Sequence, residues 1–291
     1  MTYSRIIAGT MKWGAWGARF STGDYDRMIR HCLDQGVTTF DHADIYGDYT
    51  TEAEFGAVLR QDPSLRSRMQ LITKCGIRKV SANRPHHKIK SYNTSANHII
   101  ESVETSLDNL HTDTIDCLLL HRPDMLLDAD EVAGAITKLQ EQGKILRFGV
   151  SNFKRWQVEL LHSRVPLTTN QVQCSVLHLD PFTDGTLDQC QQLQLVPMAW
   201  SPLGGGNLFQ EREDERHQRI TAVASLLAEE YGTGPDIILL SWLLSHPARI
   251  HPLLGTTRPE RVEAALEATR FQLTREQWFM LWRASTGKEV A

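Results

Sequence analysis

The chain has 291 residues, of which 41% are hydrophobic and 23% charged, enough to bury a large core and the right length for one α/β barrel. Its net charge of −4 excludes a global basic field of the kind that holds nucleic acid. No apolar run reaches the length of a membrane span.

The elements follow in chain order. RIIAGTM (5–11) is the first predicted strand, and the helical stretch DYDRMIRHCLDQG closes on Gly36, suited to the position after a helix C-cap. The next strands are VTTFD (37–41) and LITKC (71–75). SANHIIESVETSLDNL then puts Ile99, Ile100, Val103, Leu107 and Leu110 on one helical face. IDCLLLH (115–121) precedes the helix DEVAGAITKLQEQGK, and RFGVS (147–151) precedes KRWQVELLHS. TNQVQC (169–174), LVPMAWS (195–201) and RIHPLLG (249–255) complete eight strands. Strand and helix alternate throughout, which predicts a (β/α)8 TIM barrel, one domain over 1–291. The segment 204–248 departs from this. Two helices, one around 218–231 and one in PDIILLSWLLSH, precede the last strand where one suffices. The extra helix is expected as an insertion on the barrel, with a strand in DIILLSW as the alternative. The N-terminus, MTYSRIIAGTMKWG, lacks a leader pattern and reads as unprocessed. Cys32, Cys75, Cys117, Cys174 and Cys190 are odd in number and never at CxxC spacing. They read as buried reduced thiols of a cytoplasmic protein.

Barrel active sites form at the C-terminal ends of the strands. There the second strand brings Asp41, with Tyr46 just beyond, the third brings Lys74 and the fourth His121. Each has a plain structural reading alone; their meeting at one rim gives the set its weight.

FDHADIYG, ITKCG, LLLHRPD, GVSNF, AWSPLG and GTTRPERVEAAL occur in this order. Together they resemble the successive signatures of the aldo-keto reductase family, over about residues 5 to 273. The resemblance implies a barrel that binds NADPH without a Rossmann domain, with Asp41, Tyr46, Lys74 and His121 as its catalytic tetrad. Tyr46 would then donate a proton to the carbonyl oxygen. Lys74, held charged by Asp41, would lower the phenol's pKa from about 10, and His121 would orient the carbonyl.

No GxGxxG links a strand to a helix, so other segments must hold the cofactor. Ser151 and Asn152, with Gln173, resemble the family's contacts to the nicotinamide carboxamide, and Trp200 its aromatic platform. SPLGGGNL, with Ser201, Pro202, Leu203 and Gly204, resembles the pyrophosphate loop, whose glycines admit backbone N–H groups to an anion. Gly255 and Thr256 lead into Thr257, which with Glu260 forms a capping-box pattern at a helix start that attracts phosphate. Arg258 and Arg261 add guanidinium groups suited to a 2′-phosphate, favouring NADPH over NADH. Gly9, Thr10 and Met11 resemble the strand that borders the nicotinamide. Ala265 stands near where many relatives carry Asn, so an adenine contact is in question. The barrel-bottom hairpin of the family is expected to be truncated or absent.

Trp13, Trp16 and Phe20 are expected as an apolar wall for the substrate. The basic segment 76–95 is expected on the active-site side, as a lid or a solvated loop. His42, where relatives often have Thr, is read as a tolerated structural change, with a supporting role behind the reacting residues as the alternative. A short tail after about 284 implies an open pocket. The expectation is an NADPH-dependent reductase of a small carbonyl compound, cytoplasmic, monomeric or weakly oligomeric, without nucleic-acid or membrane partners. The alternative is a cofactor-binding redox sensor of the same fold.

Overall fold

The computed structural model describes residues 3–209 and 214–290; of the expected insertion, 210–213 lie outside the described residues. Its eight barrel strands are β1 (Ile7–Gly9), β2 (Thr39–Asp41), β3 (Gln70–Cys75), β6 (Cys117–Leu120), β7 (Phe148–Ser151), β8 (Thr169–Gln173), β9 (Val196–Trp200) and β10 (His251–Leu254). All pair in parallel and close in the order β1-β10-β9-β8-β7-β6-β3-β2. The eight expected strands are therefore present, most of them trimmed at one or both ends, while β3 begins one residue earlier, at Gln70. β4 (Ile77–Arg78) and β5 (Ser91–Tyr92) form an antiparallel hairpin beyond the end of β3.

The helices are α1 (Thr22–Asp34), α2 (Thr51–Gln61), α3 (Ala96–Leu110), α4 (Ala129–Glu141), α5 (Arg155–His162), α6 (Asp180–Thr183), α7 (Thr186–Gln192), α8 (Glu215–Tyr231), α9 (Pro235–Leu244), α10 (Pro259–Glu267) and α11 (Arg275–Thr286). Ser21 opens α1 with a capping box, and Gly36 follows its C-cap at φ 78°, a conformation that glycine adopts without steric cost. On α3, Ile99, Val103, Leu107 and Leu110 are buried, and Ile100 lies half-buried at the margin of the same cluster.

The run DIILLSW is helical. It lies in α9, with Ile237 to Leu243 all buried. A continuous apolar run has no period to separate helix from strand; here Pro235 in the first turn starts the helix. α9 packs against α8, α10 and β10, while α8 packs on α9 and α11.

Ile7, Ile72, Cys117, Leu119, Met198 and Leu253 fill the barrel interior, so the barrel is a packed core and not a pore. Its C-terminal rim is tight as well. A Cβ on Gly9 would stand 2.9 Å from the carbonyl oxygen of Leu254, on the neighbouring strand. The five cysteines are free and buried. Among the described residues no helix is long and apolar enough to cross a membrane.

Candidate active site

A cavity of about 970 Å³ opens above the C-terminal ends of the strands. Asp41, the last residue of β2, and Lys74, near the end of β3, meet at its floor, almost fully buried. Lys74 Nζ donates to Asp41 Oδ2 at 2.7 Å, to the carbonyl oxygen of His42 at 2.7 Å and to Tyr46 Oη at 3.1 Å. All three ammonium protons are thereby used. Tyr46 sits in the turn after β2, its ring edge-on to His121 with centroids 6.0 Å apart. His121 follows β6 directly and lines the same cavity. The structure thus brings the four expected residues to one rim.

Burial and charge act on them in opposite senses. Burial acts to lower the Lys74 ammonium, but Asp41 and Tyr46 outweigh it and hold its pKa above the ordinary lysine value. Burial raises the Asp41 carboxyl, opposed by Lys74 and by a hydrogen bond from Gln171. Burial also raises the Tyr46 phenol, with Lys74 pulling it down and Asp41 and Asp44 adding to the rise. The expectation that Lys74 brings the phenol below its usual value is therefore corrected, because desolvation of a phenolate outweighs the lysine's field. His121 is pushed well below the usual imidazole range by burial and by the charges of Lys74, Arg122 and Lys90. It is neutral at physiological pH.

His42 is fully buried. Its Nδ1 lies 3.0 Å from Thr10 Oγ1, whose own proton goes to the carbonyl oxygen of Asp41. The ring therefore donates through Nδ1, while Nε2 has no hydrogen-bond partner and the ring meets Phe55 edge-on at 4.5 Å. Burial and the Lys74 charge hold its pKa down at about 3. His42 is thus an uncharged spacer that ties β1 to β2 beneath the lysine.

A second row of polar groups runs along the floor. Gln171 Nε2 donates to Asp41 Oδ1 at 2.7 Å. Ser151 Oγ donates to the carbonyl oxygen of Gln171, Asn152 Nδ2 to Ser151 Oγ, and Trp200 Nε1 to Asn152 Oδ1. Gln171, not the expected Gln173, lines the cavity. Strand register explains the correction: Gln171 pairs with Ser151 across β7–β8, whereas Gln173 lies two residues further on, paired with Trp200.

At the other end, Ser201, Pro202 and Leu203 line the cavity with Gly205 and Gly206, whose φ values are 69° and 88°. Gly204 does not line it; its Cα side faces Leu177. Gly9 and Met11 border the cavity, while Thr10 is turned to His42. Gly255, Thr256, Arg261 and Ala265 complete that end, but Thr257 and Arg258 do not line it. The expected capping box is absent. Arg258 is itself the N-cap of α10, without a side-chain cap bond, and its N–H donates to Thr256 Oγ1. The helix therefore starts one residue later than the pattern requires.

The aromatic wall divides. Trp16 lines the cavity, whereas Trp13 is buried in the core with Nε1 donating to the carbonyl oxygen of Thr256, and Phe20 packs beside it. The segment 76–95 folds into the β4–β5 hairpin and gives Ile77, Lys90 and Tyr92 to the cavity. Its tip is pinned: Arg84 lies 4.4 Å over the Tyr49 ring, and Lys79 N–H donates to Tyr49 Oη. Arg122, Lys12 and Asp236 also line the cavity; sequence reasoning passed over them, although Arg122 adjoins His121.

Residues 5–284 match the model of the aldo/keto reductase family. The chain is 45% identical to oxidoreductase YdhF of Escherichia coli, over 99% of this chain and 95% of that protein. It is 42% identical to a 6-dehydroglucose reductase of Agrobacterium fabrum, over 99% and 96%. It also superposes on a crystal structure of an aldo/keto reductase from Klebsiella pneumoniae in complex with NADP and acetate, with a TM-score of 0.78 and 27% identity, covering 96% of this chain and 90% of that one. With a closed eight-stranded parallel barrel and this match along nearly its whole length, the chain belongs to the aldo/keto reductase family.

Proposed function

We propose that the protein reduces an aldehyde or ketone with NADPH, with Tyr46 as the proton donor. The observation that carries this reading is the row Asp41–Lys74–Tyr46 on the floor of a cavity that also reaches Arg261.

The residues present fit the cofactor. The cavity volume, about 970 Å³, is at the upper end of the usual range for ligand sites. The positive-φ glycines let backbone approach a pyrophosphate closely. Arg261 lines the cavity and makes no ion pair among the described residues. Gln171, Ser151 and Asn152 would hold the nicotinamide carboxamide and Trp200 its ring. Ser201 to Leu203, Gly205 and Gly206 would hold the pyrophosphate, and Thr256 and Arg261 the 2′-phosphate. Ala265 supplies no polar group to an adenine. Bound there, NADPH supplies the hydride.

The chain's own residues manage the proton. A phenol kept protonated by burial is ready to donate at neutral pH. Once it has donated, the phenolate is stabilised at 3.1 Å by the Lys74 ammonium. Asp41 keeps that ammonium charged and fixed. The neutral imidazole of His121 can hydrogen-bond the carbonyl oxygen without competing as an acid. Such a positioned donor contributes about 10²–10⁴-fold in rate.

The test is NADPH oxidation by purified protein over a panel of aldehydes and ketones, with NADH in parallel. A sugar-derived aldehyde belongs on the panel, given the name of the Agrobacterium relative. The reading expects quenching of tryptophan emission on adding NADPH, and turnover faster with NADPH than with NADH. Quenching without turnover on any carbonyl would support a redox sensor instead.

A further inference from the structure

Two cations stand at the Tyr46 end of the cavity without an ionic partner among the described residues. Arg122 immediately follows His121 at the end of β6, its guanidinium 5.8 Å from the centre of the Trp200 ring. Lys90 comes from the hairpin inserted after β3. Both line the cavity. Neither is in an ion pair or a side-chain hydrogen bond among the described residues, whereas neighbouring Lys79 is paired with Asp48. Their field is felt at the reacting position, since both depress the His121 imidazole. The other side chains around that mouth are Trp16, Ile45, Ile77 and Tyr92, which carry no charge. The carboxylates lining the cavity are Asp41, already shared by Lys74 and Gln171, and Asp236, which opens α9.

Arg122 and Lys90 rise from the side of the barrel opposite the groups that would hold the cofactor's phosphates. In the ring of strands, β6 lies diametrically opposite β10, and β3 opposite β9. Arg261 and the glycine loop follow β10 and β9, so the anionic part of a dinucleotide would lie across the barrel from the strand ends that carry Arg122 and Lys90, with the Arg122 guanidinium reaching inward to the Trp200 ring. Lys12 follows β1, next to β10, and is left to the cofactor side.

We propose that Arg122 and Lys90 form an anion-recognising subsite, which makes the preferred substrate a carbonyl compound bearing a carboxylate or phosphate group. This rests on the reductase reading above. An unpaired guanidinium and ammonium at a mouth with apolar walls give a carboxylate or phosphate two charge-assisted hydrogen bonds, and focus its approach. A neutral carbonyl of the same size forgoes both.

The experiment compares matched substrates: succinic semialdehyde with butanal, 4-formylbenzoate with 4-nitrobenzaldehyde, and glyceraldehyde 3-phosphate with glyceraldehyde. The first two pairs report on carboxylate and the third on phosphate. Each is run in wild type, Lys90→Met and Arg122→Met, and read as the ratio of the two kcat/KM values within one protein, so that a general loss cancels. The expected wild-type ratio is about tenfold or more, or about 1.4 kcal/mol, in favour of at least one anion, residing in KM and shrinking at high salt. Each substitution should bring the ratio towards one. Binding of 4-formylbenzoate and of benzaldehyde to the NADP+-loaded protein, measured by calorimetry, asks the same question without turnover. If nothing is reduced but 4-formylbenzoate binds preferentially and loses that preference in the variants, the reductase reading fails and the subsite stands. Equal handling of anionic and neutral partners by wild type overturns the subsite. So does a preference that survives both substitutions, or variants whose only defect is weaker NADPH binding.

Discussion

At the Tyr46 end of the cavity, side chains from five strands hold one another before any ligand arrives. Tyr46, Lys74, Asp41 and Gln171 are joined in a row, and Ser151, Asn152 and Trp200 continue it through the backbone of Gln171. At the Arg261 end, α10 starts without a side-chain cap and the cavity wall includes Gly205, Gly206 and Gly255. Chemistry needs donors fixed before charge develops, since reorganising them during the reaction costs rate. Anchoring a nucleotide asks only for groups that become satisfied on binding. The first end should therefore be sensitive in stability as well as activity, and the second in affinity alone.

The largest effect should come from Lys74→Met. It leaves the Asp41 carboxylate buried beside no cation, and breaking a buried pair costs about 3–5 kcal/mol. Urea unfolding should show that loss together with loss of turnover; a midpoint equal to wild type would break the comparison. Next is Arg261→Met. The Kd for NADPH, from tryptophan quenching, should rise about tenfold, or ~1.4 kcal/mol, while NADH binding and the urea midpoint stay near wild type. Equal losses for both cofactors would take Arg261 away from the 2′-phosphate. A further comparison distinguishes the two glutamines. Gln171→Leu removes a hydrogen bond to a buried carboxylate and should cost about 1.5–3 kcal/mol of stability, while Gln173→Leu should stay within about 0.5 kcal/mol. The reverse order would mean that β8 is shifted in register.

Much of this was legible in the sequence because strand ends carry it. Asp41, Lys74 and His121 each close an apolar run, so their convergence followed from the barrel. Gln171 did not show itself, because alternation along a strand fixes the face and not the height. Gln171 and Gln173 share a parity, and only the stagger between neighbouring strands separates them. Trp13 and Trp16 follow the same strand with like composition; a backbone carbonyl at Thr256 draws one into the core. Thr257 and Glu260 have capping-box spacing, but Thr256 takes the Arg258 N–H and the helix begins later. The acidity of Tyr46 is not legible for a related reason: the sequence names the lysine beside it but not the depth at which both are buried.

The central claim is that Tyr46 delivers the proton while its neighbours hold the geometry. Single-turnover NADPH oxidation by Tyr46→Phe tests it most directly, on the best substrate of the panel, with NADPH affinity measured in the same sample. The phenyl ring keeps the packing against His121 and Trp16. The account predicts unchanged cofactor affinity with the rate down by about 10²–10⁴-fold; a variant that binds NADPH and reduces the carbonyl at the wild-type rate would contradict it.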